Sequence, residues 1–165
     1  MKIHKLLAGV AALCLLGVTS GCSLLGIGSD PRDPSGEATA SGKVDAFSLR
    51  VGDCIISSDL GNSFSEVPLV PCTEAHDAEI IYIFDIEGSI YNKSTIEDAA
   101  WDQCEKAMTD YVGPNYDKIG SEGLDISYFS PTADSWKNGD REVDCIAYTV
   151  SEKNELTSSV KGAGV

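Results

Sequence analysis

Thr95-Ile-Glu-Asp-Ala-Ala-Trp-Asp-Gln-Cys-Glu-Lys-Ala-Met-Thr-Asp-Tyr-Val112 sets Ile96, Ala99, Ala100, Cys104, Ala107, Met108, Tyr111 and Val112 at helical spacing. Thr95 is the expected cap, with Asp98 three residues on as in a capping box. Gly113-Pro114 ends the helix, because Gly suits the position after it and Pro cannot continue it. Cys104 falls on the apolar face, where it can reach a strand beneath. Glu97, Asp98, Asp102, Glu105 and Lys106 line the other side. That acidic face reads as solvated, with a cation site as the alternative.

Upstream lies Ala78-Glu-Ile-Ile-Tyr-Ile-Phe-Asp-Ile86, rich in Ile and aromatic residues, which predicts a central strand buried on both faces. Phe47–Val51, Val67–Val70, Asp125–Phe129 and Val143–Val150 are the other predicted strands. Pro68 and Pro71 suggest an edge position for the second of these. Cys145 points inward beside Val143 and Ala147. Asn138-Gly139 signals a tight turn, so the last two strands form a long hairpin with Trp136 near its tip. The fold class that satisfies these elements is α+β, a small antiparallel sheet with one main helix packed on one face.

Lys2 and Lys5 precede an apolar run from Leu6 to Val18, and Thr19-Ser-Gly-Cys22 follows. A membrane span needs roughly 20 apolar residues, so a run of 13 fits a signal-peptide core better. Small residues before Cys22 read as a lipobox, although Thr19 stands where Leu is usual. Cys14 is a poor competitor because Leu13 precedes it. Cleavage before Cys22 and acylation of its thiol with diacylglycerol would hold the chain on the outer face of the cell membrane. Two acyl chains anchor stably where one does not.

The expected division is therefore a leader over 1–21, a lipidated flexible tether over 22–45, a folded domain over 46–150 and a flexible tail over 151–165. The tether reading rests on Gly28-Ser-Asp-Pro-Arg-Asp-Pro-Ser-Gly36 and the tail reading on Ser158-Ser-Val-Lys-Gly-Ala-Gly-Val165. Without Lys2 and Lys5 the chain keeps 10 Lys plus Arg against 26 Asp plus Glu, a formal charge of −16. Such acidity disfavours nucleic acid and anionic lipid headgroups as partners. Membrane proximity would come from the lipid on Cys22.

Cys54, Cys72, Cys104 and Cys145 are an even set in a domain read as exported, which implies disulfides. Of three pairings, Cys54–Cys72 and Cys104–Cys145 are expected: the first closes a hairpin or long β-connection, the second ties the helix to a late strand. Separations of 18, 32 and 41 residues lack the short paired spacing of a zinc site.

Several strings stand in a distinctive order. They are Phe47-Ser-Leu-Arg-Val-Gly-Asp-Cys54, Val70-Pro-Cys72, His76-Asp77-Ala78-Glu79, Cys104, Tyr111-Val-Gly113, Pro131 and Ser135-Trp136-Lys-Asn-Gly139-Asp140-Arg141 before Cys145. Together, over about Phe47 to Tyr148, they resemble the septum-formation domain of actinobacterial secreted and membrane-attached proteins. Ala75-His76 stands where that family has Pro-His. The resemblance implies a link to division septa and carries over no catalytic residues.

His76, beside Asp77 and Glu79, is the one histidine after the leader and the natural acid/base or metal-ligand candidate. If the strand begins by Asp77, then Asp77 and Glu79 share one face and His76 takes the other. The competing role is a buried histidine that bonds backbone and fixes the turn. Asp53 most simply satisfies turn amides. Trp136, Asp140 and Arg141 form the second group. They read either as a partner-facing anchor or as a core cover, with Arg141 paired to Asp140, Glu142 or Asp144.

No nucleophile elbow and no phosphate-cradling glycine loop occur, so neither cofactor nor metal is expected. The leading functional reading is a non-enzymatic module that binds an envelope or division protein, or wall material, through the face carrying Trp136 and Arg141. A small wall hydrolase or metal-dependent enzyme using His76 is the alternative. A sensor or solute-binding lipoprotein is the third, and a pocket lined by Trp136 or Tyr128 would favour it.

Overall fold

A computed structural model describes residues 30–61, 64–120, 123–150 and 155–165. The leader and Cys22 lie outside the described residues.

The helix and the late strands form where their periodicity places them. Six strands make one antiparallel sheet: β1 (Gly42–Asp45), β2 (Cys54–Ile55), β3 (Glu66–Val70), β4 (Ala78–Asp85), β5 (Leu124–Phe129) and β6 (Glu142–Thr149), in the order β1-β3-β2-β4-β6-β5. The main helix, α1 (Lys93–Tyr111), lies over β4, β6 and β5. The fold is thus α+β with two disulfides, Cys54–Cys72 and Cys104–Cys145. The second pins α1 to β6, with Cys104 and Cys145 fully buried.

Under the helix the core is built from Ile81, Met108, Val112, Ile126 and Ala147. On the opposite face Leu49, Ile55, Leu69, Ile80 and Ile146 pack together, covered by connecting segments. A third cluster, Ile86, Ile96, Ala100, Trp136 and Val143, closes one end. Each fully buried Ile or Leu here contributes about 1.5–3 kcal/mol.

Several expectations are corrected. Asn92, not Thr95, caps α1: its side chain accepts the Thr95 N–H, so the helix starts earlier than the apolar spacing shows. Phe47–Val51 is not a strand; Ala46–Ser48 is a 3-10 turn and Phe47 is exposed. β3 is not an edge, since it lies between β1 and β2. Pro68 is accommodated because β2 stops at Ile55. The next residue, Ile56, donates to the Pro68 carbonyl at 3.1 Å, and Pro68 has no N–H to return.

β5 and β6 do form a long antiparallel pair, but Asn138-Gly139 is not its turn. A short helix, α2 (Ala133–Lys137), intervenes, opened by a Thr132/Ser135 capping box and closed at Asn138. Gly139 takes φ 98° there, a left-handed conformation used after a helix as readily as in a hairpin.

The tether and tail boundaries also move. Gly42–Asp45 is a strand paired with β3, and Arg32 makes an ion pair with the buried Asp53. At the other end Val160 is buried in the core. Its segment supplies donors to carbonyls at the end of α1, which lack partners inside the helix. Gly162 N–H bonds Tyr111 O at 2.9 Å and Gly164 N–H bonds Val112 O at 2.8 Å. Gly113 must be glycine for this fit: φ is +117°, and a Cβ would stand 2.6 Å from the Gly164 carbonyl carbon.

Candidate functional site

The residues that sequence marks for acid/base chemistry lie at the entry to β4. His76 is buried, and its Nδ1 lies 2.8 Å from Glu74 O. Its backbone forms a two-bond bridge with Leu156. Nε2 has no partner among the described residues. Asp77 turns away from it: its two oxygens accept Ser57 N–H at 2.5 Å and Ser58 N–H at 2.9 Å. Burial raises the Asp77 pKa, but those bonds together outweigh it and hold the carboxyl below its ordinary value.

Glu79 is fully buried and accepts three donors, Tyr111 OH at 2.7 Å, Ser159 Oγ at 2.8 Å and Val160 N–H at 2.7 Å. Burial, then the Glu79 carboxylate, push the Tyr111 phenol far above its ordinary range. The predicted opposition of His76 to Glu79 fails, because β4 begins at Ala78 and strand alternation does not reach His76. Instead a ring nitrogen of His76, a Glu79 oxygen and Cys54 Sγ lie within 4.8 Å of one another. This arrangement does not make a metal centre in the oxidised domain. Cys54 is in a disulfide and offers no thiolate, and Glu79 already accepts from three donors.

Trp136 and Arg141 meet, but as a core cover. Trp136 is 5 % exposed, and its Nε1 donates to Ser89 O at 3.4 Å. The Arg141 guanidinium sits 3.6 Å from the Trp136 ring centroid. It donates to Trp136 O at 3.0 Å, Asp140 O at 2.5 Å and Gly88 O at 3.2 Å. Its expected pairing with the side chains of Asp140, Glu142 or Asp144 is therefore corrected: three carbonyls and an indole face hold it. Asp140 stays in the turn, where its Oδ1 accepts Glu142 N–H at 3.1 Å.

Arg141 and Glu142 alternate along the chain, so the carboxylates face the other side of the sheet. Asp144 is 5 % exposed there, and its Oδ1 has no hydrogen-bond partner. Burial, then Glu142 and Asp140, push its pKa up to about 7. Glu142 is raised too, by burial and then by Asp85 and Asp140. These acids line a cleft of ≈ 390 Å³ walled by Phe47, Phe64, Tyr128 and Phe129. Phe64 and Phe129 meet edge to face at 4.6 Å. Of this site sequence reasoning singled out only Asp140, and it missed the cleft. The available signal was Glu142-x-Asp144 preceding Ile146 on one face of a strand, with no basic residue among them.

A second depression of ≈ 400 Å³ lies between β4 and α1. Two pairs of its polar groups are already engaged: Lys106 with Asp110, Tyr111 with Glu79.

No helix among the described residues is long and apolar enough to cross a membrane. A family model described as septum formation matches residues 19–145. No curated protein and no solved structure matches the chain.

Proposed function

The chain belongs to the septum-formation family, and on that premise we propose that it is a lipid-anchored accessory module of the cell envelope. Acylated Cys22 would hold it to the membrane on the extracytoplasmic side, and its surface, rather than a reactive group, would do the work. One observation carries this reading: the side chains with the chemistry of a catalyst are committed to the fold. His76 braces its turn, Asp77 caps Ser57 and Ser58, and Glu79 fastens Tyr111 to the C-terminal segment. Of the expected contact face, Trp136 is buried in the core beneath the half-buried Arg141 guanidinium. This favours a binding surface away from the Trp136 ring.

The test is cross-linking of the acylated protein in cells, followed by identification of what is attached. Recovery of a reproducible envelope or division protein is the expected result. An unacylated amino terminus at Met1, or hydrolysis of wall fragments by the purified protein that His76→Ala abolishes, would reverse the reading.

A ligand-binding lipoprotein is the second reading. It is supported by the cleft that Tyr128 lines, which lies in the size range of small-molecule sites.

A further inference from the structure

We propose that the cleft between Phe47, Phe129 and Asp144 binds an organic cation, an ammonium group carried on an apolar stem. The proposal rests on the ligand-binding reading and gives it a chemical class.

Asp144 is the first argument. Buried polar atoms in folded proteins are almost always hydrogen-bonded, and an exception calls for a reason. Asp144 is 5 % exposed and its Oδ1 is unpartnered. Asp144 lines the cleft, and a small rotation of its carboxyl would bring that oxygen to a donor arriving there. Glu142 and Asp140 line the same cleft, so an incoming positive charge would also relieve their mutual repulsion. The nearest candidate to neutralise them from within, Arg141, is held on the Trp136 ring instead.

The walls set the rest of the ligand. Phe47, Phe64 and Phe129 supply aromatic rings to the walls, which attract a cation and shelter its hydrocarbon. Phe47 is 64 % exposed, so the wall is open to entry. A bare metal ion fits poorly. Among the described residues the group whose ligand atoms converge within 4.8 Å is Cys54, His76 and Glu79, not these acids. A space of ≈ 390 Å³ suits a small organic molecule or one extended side chain. Anions are disfavoured by the carboxylates and by the overall charge of −14.

An ammonium on an apolar stem is the shared chemistry of a free alkylamine and of a lysine side chain on a polypeptide. Both can be titrated into the full chain while its amide and aromatic resonances are followed. The probes are n-pentylammonium with 1-pentanol as its neutral counterpart, and acetyl-Gly-Lys-Gly-amide with acetyl-Gly-Gln-Gly-amide as its own. Saturable shifts at Tyr128, Phe129 and Asp144 with a charged probe, and not with its neutral partner, are the expected result. Tighter binding of the lysine peptide would assign the source to a polypeptide, and tighter binding of the amine to a small molecule. Asp144→Asn should weaken binding about tenfold, the effect of losing one charged hydrogen bond. Phe47→Ala should weaken it as well, at a surface position where the fold is not at stake. Equal binding of charged and neutral probes would overturn the cation while leaving a ligand site. Absence of saturation with every probe, or affinity indifferent to both substitutions, would overturn the site.

Discussion

Val160 gives its backbone N–H to Glu79 Oε2 at 2.7 Å, across 81 positions of sequence. The same carboxylate takes Tyr111 OH and Ser159 Oγ, so β4, α1 and the C-terminal segment share one buried acceptor. Glu79→Ala would leave the buried Val160 N–H without its acceptor and release the half-buried Tyr111 OH and the exposed Ser159 hydroxyl. An unsatisfied buried donor costs about 1–3 kcal/mol before relaxation, and the two hydroxyls belong to the same network. The expected loss is about 2–4 kcal/mol of unfolding free energy in urea. Hydrogen exchange gives an independent reading: the amides of Val160, Gly162 and Gly164 should be protected, and Glu79→Ala should expose them together. Fast exchange at all three in the unaltered chain would refute the docking of this segment.

That segment also shows where sequence reading ends. α1 was legible because eight apolar residues repeat at its period, and the Cys104–Cys145 pairing followed from placing one cysteine on that face and the other on an inward strand position. Ser158–Val165 has no period to read, being mostly Gly, Ala, Ser and Val. Its order comes from acceptors supplied elsewhere, the carbonyls of Tyr111 and Val112 and the Glu79 carboxylate. Asn138-Gly139 misled for a different reason: one left-handed glycine serves a hairpin turn and a helix end equally, and the Thr132/Ser135 box that decides between them is a weak string. The burial of Asp144 was invisible because an acid on a strand reads as solvent-facing until Phe64 and Phe129, which line the same cleft, are placed.

Removing the Cys104–Cys145 bridge should hurt the helix–sheet contact more than the rest of the fold. The bridge spans 41 positions and Cys54–Cys72 spans 18. In the chain-entropy account loops of these lengths are each stabilised by about 3–4 kcal/mol, the longer slightly more. The Cys104→Ala/Cys145→Ala variant should therefore unfold at markedly lower urea, with α1 amides losing protection before those of β1 and β3. Retention of full stability under strong reductant would contradict this.

Trp136 offers an optical check on the covered face. It is buried under the Arg141 guanidinium, whereas Trp101 is 47 % exposed. In a Trp101→Phe variant the remaining emission should be blue-shifted and resistant to acrylamide. Adding Arg141→Ala removes the cation over the ring and the donors to Trp136 O and Gly88 O. Emission should then move red, with a loss of about 1–2 kcal/mol. Free quenching of Trp136 in the first variant would show that this face is open and restore it as a contact surface.

The pH dependence of stability should carry the signature of Asp144. Unfolded, its carboxyl titrates near the ordinary 3.8; folded, burial and then Glu142 and Asp140 raise it to about 7. Below the lower value both states hold the proton. Between the two, the folded chain keeps a proton that the unfolded chain has released, so each step up in pH favours unfolding. Above the upper value both are ionised and the slope vanishes. The contribution is thus complete in acid and lost as pH rises through about 7. Its size is on the order of 4 kcal/mol. Glu142, also raised, acts in the same direction, while Asp77, held low, favours the folded state as it ionises in acid. The titratable groups lining the cleft with Asp144 are Glu142, Asp140 and Tyr128. Asp144→Asn isolates one of these terms. Measured by urea unfolding at about pH 5 and about pH 8, the variant should lose much less stability between the two than the unaltered chain. It should be the more stable protein at the higher value, because an amide carries no buried charge. Parallel declines in the two proteins would mean that Asp144 is ionised and stabilised in the fold, which removes the unsatisfied carboxylate from the cleft.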